Sequence, residues 1–69
     1  MSANELKQAI ITENEIAFSH NGIDYLLYGW HQCDGYVLSL ECNGELVWQS
    51  ALYSKKVCID EFLNYYSEL

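Results

Sequence analysis

The stretch EIAFSHNGIDYLLYGWHQCDGYVLSLECNGELVWQSAL, residues 15–52, decides how this chain folds. Three dipeptides punctuate it: Asn21-Gly22, Asp34-Gly35 and Asn43-Gly44. Each is the Asn/Asp-Gly pair that tolerates the positive φ angles of a type I′ hairpin turn. The apolar residues between them recur with a period near two, which predicts strands at about 15–20, 23–31, 36–42 and 45–52. The chain has no proline to break any of them, and two-residue connections make an antiparallel meander the natural topology.

Taking the three dipeptides as loop residues fixes a register and sorts side chains onto two faces. On one face Phe18 is set opposite Tyr25, Ile16 opposite Leu27, Gly29 opposite Leu40, and Leu40 opposite Val47. The other face carries Ala17 with Leu26, Glu15 with Tyr28, Glu41 and Leu46, and a row of Trp30, Ser39 and Trp48 crossing three strands. All three turns agree on this division. A bulge in any strand would reverse every residue beyond it.

Working outward, Ser2 and Glu5 have the spacing of a capping box, and Leu6, Ala9 and Ile10 follow at the intervals of one helical face. This predicts a first helix over about 3–11, joined by polar Thr12–Asn14 to the first strand. After the sheet, Ser54 is a candidate N-cap, and Ile59, Phe62, Leu63 and Tyr66 form an apolar stripe. A second helix over about 57–68 results, with Asp60 and Glu61 near its start, where the helix dipole favours carboxylates. Lys55 and Lys56 stand at the end the dipole disfavours. The fold class is α+β: a short N-terminal helix, a four-stranded antiparallel meander and a C-terminal helix, with residues 1–69 as one small domain. The simplest packing places both helices on the Ile, Phe, Tyr, Leu and Val face.

Composition bounds the function. The chain has 69 residues, ten acidic side chains against three basic ones, and a formal net charge of −7. A chain of this size buries only about 60% of its unfolded surface, so dense aromatic packing, a partner or a twin subunit has to add stability. The aromatic content of 14% and hydrophobic content of 51% are too high for disorder. Three lysines and no arginine cannot neutralise a run of phosphates, which argues against direct nucleic-acid binding and against docking on anionic membranes. No stretch approaches the roughly 18 apolar residues of a membrane span, and the N-terminus lacks the basic-then-apolar order of a secretory signal. Cys33, Cys42 and Cys58 are odd in number and unpatterned, which suits reduced thiols in a cytoplasmic location.

Residues with chemical potential are few. His31, Cys33 and Asp34 cluster beside the second turn, but a nucleophile, its base and an orienting group must converge around a cleft, whereas neighbours on a tight turn splay apart. His20, His31 and the cysteines contain no pair spaced to clamp a zinc ion. The glycines stand singly at turns and form no phosphate-binding loop before a helix. Asp60-Glu61 and Glu13-Glu15 read as solvated charges. No catalytic residue, metal site or cofactor is expected.

What remains is the second sheet face. Leu26, Tyr28, Trp30, Val37, Glu41, Leu46 and Trp48 would form an aromatic patch with acidic neighbours, the composition of a protein interface if no helix covers it. The expected function is therefore that of a non-enzymatic interaction module, a homodimer or a binder of another protein, with pairing through open edge strands as another route to assembly. An alternative is an acidic inhibitor that occupies the basic cleft of a nucleic-acid-binding protein. Anti-restriction and anti-CRISPR proteins work in that way, and the analogy rests on size and charge alone.

Overall fold

The computed structural model describes all 69 residues. Helix α1 spans Ala3–Glu13, strands β1 to β4 span Glu15–His20, Ile23–Gln32, Gly35–Cys42 and Glu45–Gln49, and helix α2 spans Lys55–Ser67. The strands form one antiparallel sheet in the order β1-β2-β3-β4, as the meander reading requires.

Both helices start where their caps dictate. Ser2 Oγ accepts from the Glu5 N–H while Glu5 accepts from the Ser2 N–H, the reciprocal capping box. These bonds hold the Glu5 carboxyl below its usual pKa, the Ser2 backbone donor contributing most. Ser54 caps α2 by accepting from Val57 N–H. The second helix thus begins two residues earlier than its apolar stripe suggests, because the cap and not the stripe sets the first turn.

Both helices lie on one face of the sheet. Leu6 and Ile10 of α1, Phe18, Leu27, Tyr36, Leu38 and Leu40 of the sheet, and Cys58, Ile59 and Phe62 of α2 form a single buried cluster. Stacked and edge-on rings extend it: Phe18 with Tyr25 and Tyr66, and Phe62 with Tyr66.

Two of the three turns behave as their sequence demands. Asn21-Gly22 and Asn43-Gly44 take positive φ at both residues, and His20 pairs with Ile23 and Cys42 with Glu45. The middle turn differs. Its loop residues are Cys33 and Asp34, and Gln32 pairs with Gly35, so Gly29 stands opposite Leu38 and Trp30 opposite Val37, rather than Leu40 and Ser39. The register moves by two, an even number, and the two faces survive. Gly35 is needed for another reason: a Cβ there would sit 2.7 Å from the Tyr53 carbonyl oxygen, where the chain after β4 returns to bridge Tyr36.

The correction with consequences lies in β4. Glu41 pairs with Leu46 but Leu40 pairs with Trp48, leaving Val47 as an extra residue at a β-bulge. A single inserted residue exchanges the faces beyond it. Trp48 therefore turns to the helical side, 5.6 Å from the rings of both Phe62 and Tyr65, and is not part of the opposite face. Past Trp48 the ladder ends early: β4 stops at Gln49, and Ser50 continues the pairing through Leu38 N–H to Ser50 Oγ and Ser50 N–H to the Leu38 carbonyl.

One polar junction ties helices to sheet. Asn14 ends α1 in the left-handed conformation at φ 61°, and its Oδ1 accepts from Tyr36 Oη at 2.8 Å and from Lys55 Nζ at 2.8 Å. Its carbonyl accepts from Gly29 N–H. Lys55 also donates to the Ile11 carbonyl at the end of α1, so a lysine misplaced for its own helix stabilises the negative end of the other.

Candidate functional site

The face away from the helices is built from alternate residues of the four strands. Glu15, Ala17 and Ser19 come from β1, Asp24, Leu26, Tyr28 and Trp30 from β2, Val37, Ser39 and Glu41 from β3, and Leu46 and Gln49 from β4. Neither helix covers it. Six of the seven residues expected there are present: Leu26, Tyr28, Trp30, Val37, Glu41 and Leu46. Trp48 is the exception.

The face is covered in part by its own side chains. Tyr28 and Trp30 are neighbours on one side of β2, and their rings stack with centroids 5.9 Å apart. Tyr28 Oη donates to the Glu41 carboxylate, and this bond, ahead of burial, raises the Tyr28 pKa. Ser39 is fully buried between Tyr28 and Gln49, with Gln49 Nε2 donating to its hydroxyl. Val37 is buried opposite Trp30. Trp30 remains 37% exposed and Leu46 54%, so these two are the apolar groups most available to a partner. The bulged Val47, next to Leu46 in sequence, is exposed as well, and nothing in the local pattern marks it.

The charges of this face are all of one sign. Glu15, Asp24 and Glu41 belong to this face, while every lysine of the chain, Lys7, Lys55 and Lys56, belongs to a helix. Asp24 is engaged locally by the Ser19 hydroxyl.

The remaining candidates do not assemble. His31, Cys33 and Asp34 are all exposed at the β2–β3 turn, where His31 meets only the edge of the Tyr36 ring at 4.8 Å. None of the four surface grooves is lined by any of these three. No three His, Cys, Asp or Glu side chains gather in a way that could hold a metal ion. Cys33, Cys42 and Cys58 are free thiols, exposed, half-buried and buried in turn. Cys58 donates to the Tyr36 carbonyl at 3.2 Å and packs as a core residue. His20 is half-buried against Tyr66, 4.9 Å between rings, instead of facing solvent. No helix is long and apolar enough to cross a membrane.

No family model, no curated protein and no solved structure matches this chain.

Proposed function

We propose that the chain is a non-enzymatic interaction module that docks a protein partner through the helix-free sheet face, with Trp30 and Leu46 as apolar contacts. Tyr28 and Glu41 supply a preformed polar edge. The observation that carries this reading is the pairing of an exposed Trp on a rigid sheet with a rim whose only charges are carboxylates. Trp30 stands at one end of the face, past the last pairs of β1 and β4, and an aromatic anchor with polar groups around it is a usual energetic focus of a protein interface. The rim also selects the partner. A second copy docked face to face would bring two sets of Glu15, Asp24 and Glu41 into one interface with no cation between them, which opposes self-association here. A partner presenting lysine or arginine around an apolar recess is complementary.

The test is affinity capture from the native cell extract with wild-type chain and a Trp30→Glu variant as parallel baits, each first checked for native circular dichroism. The expected result is a partner held by the wild type and lost by the variant. Identical captures would overturn the assignment of the face. A second reading, the acidic inhibitor of a nucleic-acid-binding protein, draws support from the same confinement of lysines to the helices. It requires binding that weakens steeply as salt rises and that Trp30→Glu leaves largely intact.

A further inference from the structure

The three lysines of this strongly acidic chain meet at one place. Lys7 and Ile11 of α1 and Lys55, Lys56, Ile59 and Asp60 of α2 line a groove of about 230 Å³ between the helices, on the opposite side of the molecule from the aromatic sheet face. Its apolar part is Ile59, which belongs to the core, and Ile11, which is 45% exposed. An isoleucine left that open beside a cationic rim lacks a covering group of its own.

The rim is not neutralised from within. Lys55 Nζ is held by the Ile11 carbonyl at 3.2 Å and the Asn14 amide oxygen at 2.8 Å, and lies 5.3 Å from the centre of the Tyr36 ring. All three are uncharged, so the ammonium is positioned without being paired. Lys56 pairs with Asp60 at 3.1 Å. Lys7 has no ion-pair or hydrogen-bond partner in its side chain. Three ammonium groups against the one carboxylate of Asp60 leave two positive charges without a carboxylate; the N-terminal end of α2 adds to them, and the C-terminal end of α1, engaged by Lys55, offsets part of them. An anion is the group that such a field attracts.

We infer that the groove between α1 and α2 binds a small organic anion, a monocarboxylate with a compact branched apolar body. The carboxylate would meet Lys7 and Lys56 with the Lys55 ammonium behind them, and the apolar body would cover Ile11 and Ile59. A groove of this volume suits a small ligand and not an extended one. This ligand site is separate from the sheet face and extends the proposed function without depending on it.

The test is an amide-resolved NMR titration of the full chain with 4-methylpentanoate, which has the required size and charge. Its uncharged amide and acetate serve as controls that lack, respectively, the charge and the apolar body. The expected result is saturable shifts at Lys7, Ile11, Lys56 and Ile59, with a dissociation constant on the order of 1 mM, as suits so small a ligand. Both controls, and the K7Q/K56Q double variant, should bind at least about tenfold more weakly. Because Lys7 and Lys56 are exposed, the variant keeps its dispersed spectrum, and loss of binding is then not loss of fold. Absence of a saturable shift at tenfold above that constant would overturn the inference, as would equal binding of the amide. Shifts at the groove that grow with protein concentration alone and vanish in salt would also overturn it, by making the acidic surface of a second copy the occupant.

Discussion

The ring of Tyr36 passes across Gly29, occupying the space where any other residue at that position would place its Cβ. The two are not directly paired in the sheet, since Gly29 stands opposite Leu38 and Tyr36 opposite His31. The missing side chain lets the phenol cross β2 and reach Asn14. The glycine therefore joins the sheet to the end of α1 by leaving room.

Gly29→Ala should consequently be among the most damaging small substitutions. Tyr36 is 1% exposed and has nowhere to move, so the methyl group forces a shift that also breaks the bond to Asn14. Overpacking and a lost buried hydrogen bond together predict a loss of about 2–4 kcal/mol in urea unfolding. Gly22→Ala meets no atom within 4 Å and suffers only from its φ of +78°, and its cost should be about 1 kcal/mol.

Asn14 combines a backbone role and a side-chain role, and two variants separate them. Asn14→Gly keeps the left-handed conformation and removes the acceptor shared by Tyr36 and Lys55. Asn14→Ala removes the acceptor and adds strain at φ 61°. Thermal unfolding should find both destabilised, with alanine worse than glycine by about 1 kcal/mol.

Stability should fall on the alkaline side through Tyr36. Burial first, and then the nearby Cys58, raise its pKa above the ordinary 10.0. The unfolded chain then loses the tyrosine proton at a lower pH than the folded one does. The folded state keeps its full stability below about pH 10 and loses it as the pH climbs from there through the raised value. Denaturant unfolding at a series of alkaline pH values should show this decline in the wild type. In Tyr36→Phe it should be reduced to what Tyr28, also raised, contributes.

The cysteines give a separate reading of opening. Cys33 is exposed on a turn, while Cys58 is fully buried with its thiol on the Tyr36 carbonyl. A thiol reagent should label Cys33 at the rate of an unfolded peptide. Cys58 should react slower by about the factor set by global unfolding, and the Gly29→Ala substitution should speed Cys58 without changing Cys33.

Most of this architecture is legible in residues whose local chemistry has few alternatives. Ser2 with Glu5, Ser54, and the two Asn-Gly turns each specify one geometry and set the element order, and the faces carry over from β2 to β3 because the misplaced middle turn moves the register by an even two residues. The failures share a cause. Asp34-Gly35 resembles its two neighbours, but Gly35 answers to the Tyr53 carbonyl, which lies far along the chain. The bulge at Val47 has no local signal at all, since ELVWQ is a good strand in either register. Lys55 has no meaning in its own helix and acquires one only when Asn14 and Ile11 arrive from the other. Long-range contacts decided each of these cases, and period and propensity do not contain them.

The bulge makes its own prediction, because it gives the two tryptophans opposite roles. Without it Trp48 and Trp30 would share a face and respond alike to substitution. With it, Trp48 packs on Phe62 and Tyr65 at 5.6 Å each, whereas Trp30 touches chiefly Tyr28 at the surface. Trp48→Glu places a carboxylate under α2 with no cation facing it, and should unfold the chain or cost about 3 kcal/mol or more. Trp30→Glu removes the stack on Tyr28 and uncovers Val37, and should cost about 1–2 kcal/mol, clearly less than Trp48→Glu. Removing Val47 deletes the extra residue and leaves Leu46 opposite Glu41 and Trp48 opposite Leu40 in a regular ladder, so Trp48 keeps its place beneath α2 and the deletion should cost much less than Trp48→Glu. Parallel urea titrations of the three variants decide the matter, and similar midpoints for Trp48→Glu and Trp30→Glu would contradict the placement of Trp48 beneath α2.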